Sequence, residues 1–145
     1  MTTCAAKMRL IEQMNLARLM SASCIGAEDL MAQLNREQMS AGQDADGADL
    51  YYYRSDFYAD WKLTLPSYTA PPGVADFKVS GEFSRSIFTR VGGDTIVFDA
   101  TDSKTNKLLD LSPNMFGLTD ESRRSLKDQY LQAAFVSVVK DQIKL

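Results

Sequence analysis

Residues 64–75, TLPSYTAPPGVA, split this chain into two parts that no regular element can join. Pro66, Pro71 and Pro72 each fix φ and lack a backbone N–H, so neither a helix nor an inner strand passes through them. The hydrophobic period differs on the two sides of this break. Before it, apolar residues recur at helical spacing. Over 5–21, Leu10, Met14 and Ala17 form one stripe, broadened by Ile11, Leu16, Leu19 and Met20. The Cys24-Ile25-Gly26 run interrupts the pattern, and a second helix is predicted over 27–39 with Leu30, Met31 and Leu34 on its apolar side. After the break, Phe77, Val79, Phe83, Ile87 and Val91 surround Gly81, and residues 94–99 alternate, with Ile96 and Phe98 opposite Val97. That alternation predicts a strand, Gly92-Gly93 a turn, and 83–91 the hairpin partner.

Residues 101–118 carry no period and are expected to be irregular. The last element is announced by Thr119 as an N-cap, Leu118 before it, and Asp120 and Glu121 in the dipole-favoured first turn. Leu126, Tyr130 and Ala134, with Leu131, Phe135, Val138 and Val139, make a wide stripe that must be covered on more than one side, and Lys140 and Lys144 close the helix. The fold class expected is α+β. A small antiparallel sheet packs with an N-terminal helical region at 5–39 and a long C-terminal helix, in a single domain over 1–145 with a long aromatic and Pro-rich connection at 40–75.

Composition narrows the chemistry. The chain has two cysteines, Cys4 and Cys24, and no histidine, which removes Ser-His-Asp and Cys-His nucleophile systems and every His-ligated metal site. Two cysteines twenty positions apart are neither a disulfide framework nor a zinc site, and they read as reduced, mostly buried thiols. Met8, Met14, Met20 and Met31 read as core filling, with an adaptable contact face as the alternative. The loop at 40–49 brushes against a calcium loop, with Asp44 and Asp46 alternating before Gly47. The twelfth position from Asp44 is Ser55, which supplies no bidentate carboxylate, so a solvated turn is expected. Glu82, Asp94, Asp99 and Asp102 lie near the strands without a spacing that fixes a catalytic pair, and Ser84 and Ser86 have no histidine to activate them. Gly92-Gly93 lacks a phosphate-loop context. No catalytic residue, metal ligand or cofactor is therefore expected.

With a net charge of -3 and no basic block, sequence-specific nucleic-acid binding is not expected. The opening residues are interrupted by Lys7, Arg9 and Glu12, unlike a signal peptide, and no segment reaches the apolar length that crosses a bilayer. No membrane partner is expected, and the chain should be made and kept, or assembled, in a cytoplasm.

Residues 51–61 read YYYRSDFYADW, six of eleven aromatic. Tyr51, Tyr52, Tyr53, Phe57, Tyr58 and Trp61 are either a buried mini-core under the long connection or a subunit interface. Too few basic residues lie nearby for an RNA-stacking platform.

Three segments add more. LNREQ at 34–38 precedes the 42–47 loop and a tyrosine-bearing stretch. VSGEFSRSIF at 79–88 precedes a strand. TDSK at 101–104 precedes NMFGLT at 114–119 and the terminal helix. In this order they resemble a family of small proteins of phages and prophages of Bacteroidetes hosts, themselves similar to tail-completion and neck proteins of long-tailed phages. That wider family has a T-G-x-[LF]-x-x-S segment opening the sheet and an [FI]-x-G-L-[ST] segment opening the last helix. Gly81, Phe83 and Ser86 match the first, with Ser80 in place of Thr, and Phe116, Gly117, Leu118 and Thr119 match the second. The likeness runs from about Leu34 to the end, interrupted by the Pro-rich 66–72 insertion and the aromatic 51–61 stretch. It implies a virion structural protein joining head and tail, a homo-oligomeric ring bound to other phage neck and tail proteins. It carries over no catalytic residue. The alternative is a protein-interaction module outside the virion, an adaptor or antitoxin-like protein.

Overall fold

A computed structural model describes residues 16–93 and 95–143. The element order is α1 (Leu16–Ile25), α2 (Glu28–Ser40), α3 (Asp56–Leu63), α4 (Glu82–Ser86), β1 (Ile87–Gly92), β2 (Thr95–Ala100), α5 (Thr105–Leu111) and a terminal helix, α6. α6 is continuous through Asp120–Leu126, a π-helical turn at Lys127–Leu131, and Gln132–Ile143. The architecture is α+β, with an antiparallel β1-β2 pair against helices and a long C-terminal helix.

The hairpin register places Ile87 opposite Ala100, Thr89 opposite Phe98 and Val91 opposite Ile96. Side chains alternate along a strand, so these six share one face, and Phe88, Arg90, Val97 and Asp99 share the other. Ile96 and Phe98 lie opposite Val97 as the alternation predicts. On the outer face the Arg90 guanidinium sits 5.1 Å from the Phe88 ring centre, a cation–π contact. The partner strand is shorter than the sequence suggests. Residues 82–86 turn as a helix, because Gly81, at φ 78°, supplies a left-handed start that a side chain would resist.

Two cores form. Ala32 and Met39 of α2 meet Leu50, Val74, Phe83, Ile87 and Met115 in the larger one. Ala27, Met31, Leu118 and Leu126 form the second, flanked by Tyr130, Val91 and Phe98. Met31, Met39 and Met115 are fully buried and fill gaps, while Met20 is exposed on α1; Met8 and Met14 lie outside the described residues. α1 runs on to Ile25, past the expected stop at 21, and lies along α6 and β1, with Leu19 and Ser23 buried. The 5–15 part of the predicted first helix is outside the described residues. Cys24 is a half-buried free thiol, its pKa raised by burial, and Cys4 is not described.

α6 begins as expected, the Thr119 hydroxyl accepting from the Ser122 N–H at 3.2 Å. Its wide stripe is only partly covered. Leu126 and Ile143 are buried, whereas Tyr130, Leu131, Phe135, Val138 and Val139 are half-buried. Two helices are not expected from the sequence, α3 within the long 40–75 connection and α5 within the 101–118 stretch read as irregular. α3 is started by Ser55, whose hydroxyl accepts from the Tyr58 N–H. α5 follows a turn in which the Thr105 hydroxyl donates to the Asp102 carbonyl at 2.6 Å. No helix among the described residues is long and apolar enough to cross a membrane.

Candidate functional site

The LNREQ segment lies in the C-terminal half of α2, and its side chains reach both other motif segments. The Asn35 amide donates to the carbonyls of Met115 (3.1 Å) and Gly117 (2.8 Å). The Gln38 amide donates to the carbonyls of Asp44 and Gly117, and its oxygen accepts from the Thr119 N–H at 2.9 Å. The Arg36 guanidinium donates to the carbonyls of Ser84 (2.8 Å) and Ile87 (2.7 Å). Irregular backbone at 115–119 and at the α4–β1 junction thus finds the partners that buried carbonyls require. Gly117 has φ 124°, and a Cβ there would lie 3.0 Å from the Ala45 Cβ, so the motif glycine serves conformation and close approach. Gly81 starts α4, Phe83 is buried in the larger core, and the Ser86 hydroxyl donates to the Phe83 carbonyl while accepting from the Asp102 N–H. Phe116 is half-buried against the same core, and Leu118 is buried in the second.

The aromatic stretch divides. Tyr51, Tyr53 and Tyr58 turn inward and Tyr52 and Phe57 outward, with Trp61 at the boundary. The rings of Trp61, Tyr58, Tyr53, Tyr51, Phe77 and Phe83 follow one another with centres 4.9–5.8 Å apart, three of the contacts edge-to-face. Tyr51, Tyr53, Tyr58, Phe77, Phe83 and Leu108 wall a cleft of about 150 Å³, with Lys78 and Lys104 also lining it.

Beneath these rings lies a buried ion pair. The Lys62 ammonium, on the inner side of α3, is 2.7 Å from Asp76 Oδ1, and both side chains are essentially inaccessible. The ammonium also donates to the Lys78 carbonyl at 2.8 Å and lies 5.4 Å from the Tyr68 ring centre. Asp76 Oδ1 further accepts from the Tyr53 hydroxyl and the Lys78 N–H, each at 3.1 Å. Asp76 Oδ2 is buried with no hydrogen-bond partner. These bonds clamp the backbone on both sides of Phe77, which has φ 51°, the one left-handed non-glycine among the described residues. The side chain of Asp76 and the ammonium of Lys62 therefore hold a strained turn that aims Phe77 into the aromatic row. Burial, then the nearby Asp76 carboxylate, raise the Tyr53 hydroxyl far above its ordinary pKa, so it stays a hydrogen-bond donor. Tyr51 and Tyr58 are raised as well, burial again leading.

The carboxylates considered for catalysis are not gathered. Glu82 and Asp99 are exposed, Asp94 lies outside the described residues, and Asp102 is half-buried with Oδ1 accepting from the Lys104 N–H. Asp44 Oδ1 accepts from the N–H groups of Asp46 and Ala48, closing the 44–48 turn on itself. Among the described residues no three potential ligands are grouped to hold a metal ion. The ion pair had no local signal in the sequence, since Lys62 and Asp76 lie on opposite sides of the Pro-rich loop. No protein-family model, curated protein or solved structure matches this chain.

Proposed function

We propose that this chain is a non-enzymatic assembly protein of a tailed phage, part of a ring, or docked on one, where head meets tail. The observation that carries this reading is the convergence on α2. The three segments behind the resemblance to neck and tail-completion proteins are joined through Asn35, Arg36 and Gln38 by side-chain bonds to backbone. Residues with such bonds specify a shape, as a likeness in fold and assembly requires, and none of them presents a reactive group to a substrate. Exposed apolar side chains add support. Phe57 is 84% exposed, Tyr52 61% and Val79 65%, an outlay of apolar surface that suits a protein working against neighbours.

The test is quantitative mass spectrometry of gradient-purified particles of the parent phage, scaled to the portal protein. A copy number on the order of a 6- or 12-fold ring, as closed cyclic assemblies allow, is the expected result. Hundreds of copies would move the chain to the tail tube or capsid surface. Absence from the particles, with the gene among toxin or host functions, would replace this reading with an interaction module outside the virion.

A further inference from the structure

α3 has two sides of opposite character. Its inner side is anchored by Lys62, with Tyr58 and Ala59 half-buried beside it. At 3.6 residues per turn, Asp56, Asp60, Phe57 and Trp61 follow one another around the outer side. Phe57 thus stands in water with the exposed carboxylates of Asp60 and Asp56 on one side and Trp61 on the other, on a helix whose opposite side is fixed by a buried ion pair. Its neighbour in sequence, Tyr58, is part of the wall of the aromatic cleft. The cleft has the complementary make-up. Its walls are aromatic, its volume of about 150 Å³ is several times the roughly 30 Å³ share of a water molecule in the liquid, and Lys78 and Lys104 lie along it.

We propose that this cleft receives Phe57 of a second copy of the chain, with Asp56 and Asp60 of that copy meeting Lys78 and Lys104. The knob is on α3 and the hole takes one wall residue, Tyr58, from the same helix, so two copies related by a two-fold axis fill each other's clefts at once, the self-complementary arrangement of an isologous contact. Each exchange buries a phenylalanine otherwise left in water and brings opposite charges together beside it. The cleft is also shaped in advance. The Lys62–Asp76 pair and the turn at Phe77 set its wall before any partner arrives, which lowers the ordering cost of association. The pairing is independent of the virion reading, because it requires only this chain.

The experiment is analytical ultracentrifugation of the full chain over a concentration series. The unaltered chain should show a monomer–dimer equilibrium. Phe57→Ala touches no core residue and should weaken dimerisation about 30-fold or more, as loss of a central aromatic anchor does, with thermal unfolding unchanged at concentrations where the unaltered chain is a monomer. Reversing the acids (Asp56→Lys with Asp60→Lys) or the bases (Lys78→Glu with Lys104→Glu) should each weaken the dimer, and all four changes in one chain should restore it. A monomer at every concentration would overturn the proposal, as would a dimer indifferent to Phe57→Ala. Failure of the fourfold variant to recover, with both pairwise variants folded, would overturn the charge pairing.

Discussion

The buried polar groups around α2 and those under the aromatic cleft solve the same problem with different materials. Around α2 they are two neutral amides and a guanidinium, each bonded to backbone carbonyls, and the Gly117 carbonyl accepts from both Asn35 and Gln38. Loss of either side chain leaves the other in place. Under the cleft, one ammonium and one carboxylate hold the turn, with the Tyr53 hydroxyl in support. Charges cost more to bury than amides, and their mutual attraction offsets that cost only while both are present. The first region is redundant at Gly117 and spread over three side chains, and the second hangs on a single pair.

This contrast is sharpest when one charge is removed. Asp76→Ala should destabilise the fold by about 3–5 kcal/mol, because it leaves the Lys62 ammonium buried and unpaired. Replacing both residues by apolar ones, Lys62→Met with Asp76→Leu, should recover much of that loss. Urea unfolding of the three proteins decides the matter, and a double variant no better than Asp76→Ala would refute the single-pair account. At the α2 hub, Gln38→Ala should cost a smaller amount, about 1–3 kcal/mol, since it strands the Thr119 N–H, while the Asp44 carbonyl keeps the Gly47 N–H and Asn35 still serves Gly117. If Gln38→Ala proved as damaging as Asp76→Ala, the claimed redundancy would be wrong.

The weakest effect expected is alkaline. Burial first raises the hydroxyls of Tyr51, Tyr53 and Tyr58, whereas an unfolded tyrosine ionises near pH 10. Above that pH the unfolded chain has released protons that the folded chain retains, so stability should be intact below about pH 10 and decline as pH rises toward the folded values. Thermal unfolding across this range, with tyrosinate absorbance followed in parallel, provides the check. Ionisation of all tyrosines together near pH 10 without loss of structure would show that the cleft does not shield them.

Local signals were legible and distant ones were not. Thr119 with Asp120 and Glu121 marked the start of α6, and the alternation of Ile96, Val97 and Phe98 marked β2, because caps and strand faces are written within a few residues. α3 carried its own signal in Ser55 and Asp56, but the aromatic density beside it reads as surface or core before it reads as helix. α5 was harder to see, since Lys104 makes no side-chain cap bond and the first turn has no acid. The aromatic residues were legible as a candidate site, yet their division into inward and outward rings depends on the turn at Phe77. That turn rests on Lys62 and Asp76, which nothing short of the folded chain brings together.

Lys62 also gives the molecule an internal clock. Its amine has no contact with water, whereas Lys104, Lys107, Lys127 and Lys140 are exposed. An amine-directed acylating reagent meets those four at once, but reaches Lys62 only in the interval when α3 lifts from the turn at Phe77. The rate at which that one amine is consumed measures how often the wall of the cleft opens, and a partner seated on the wall would slow it.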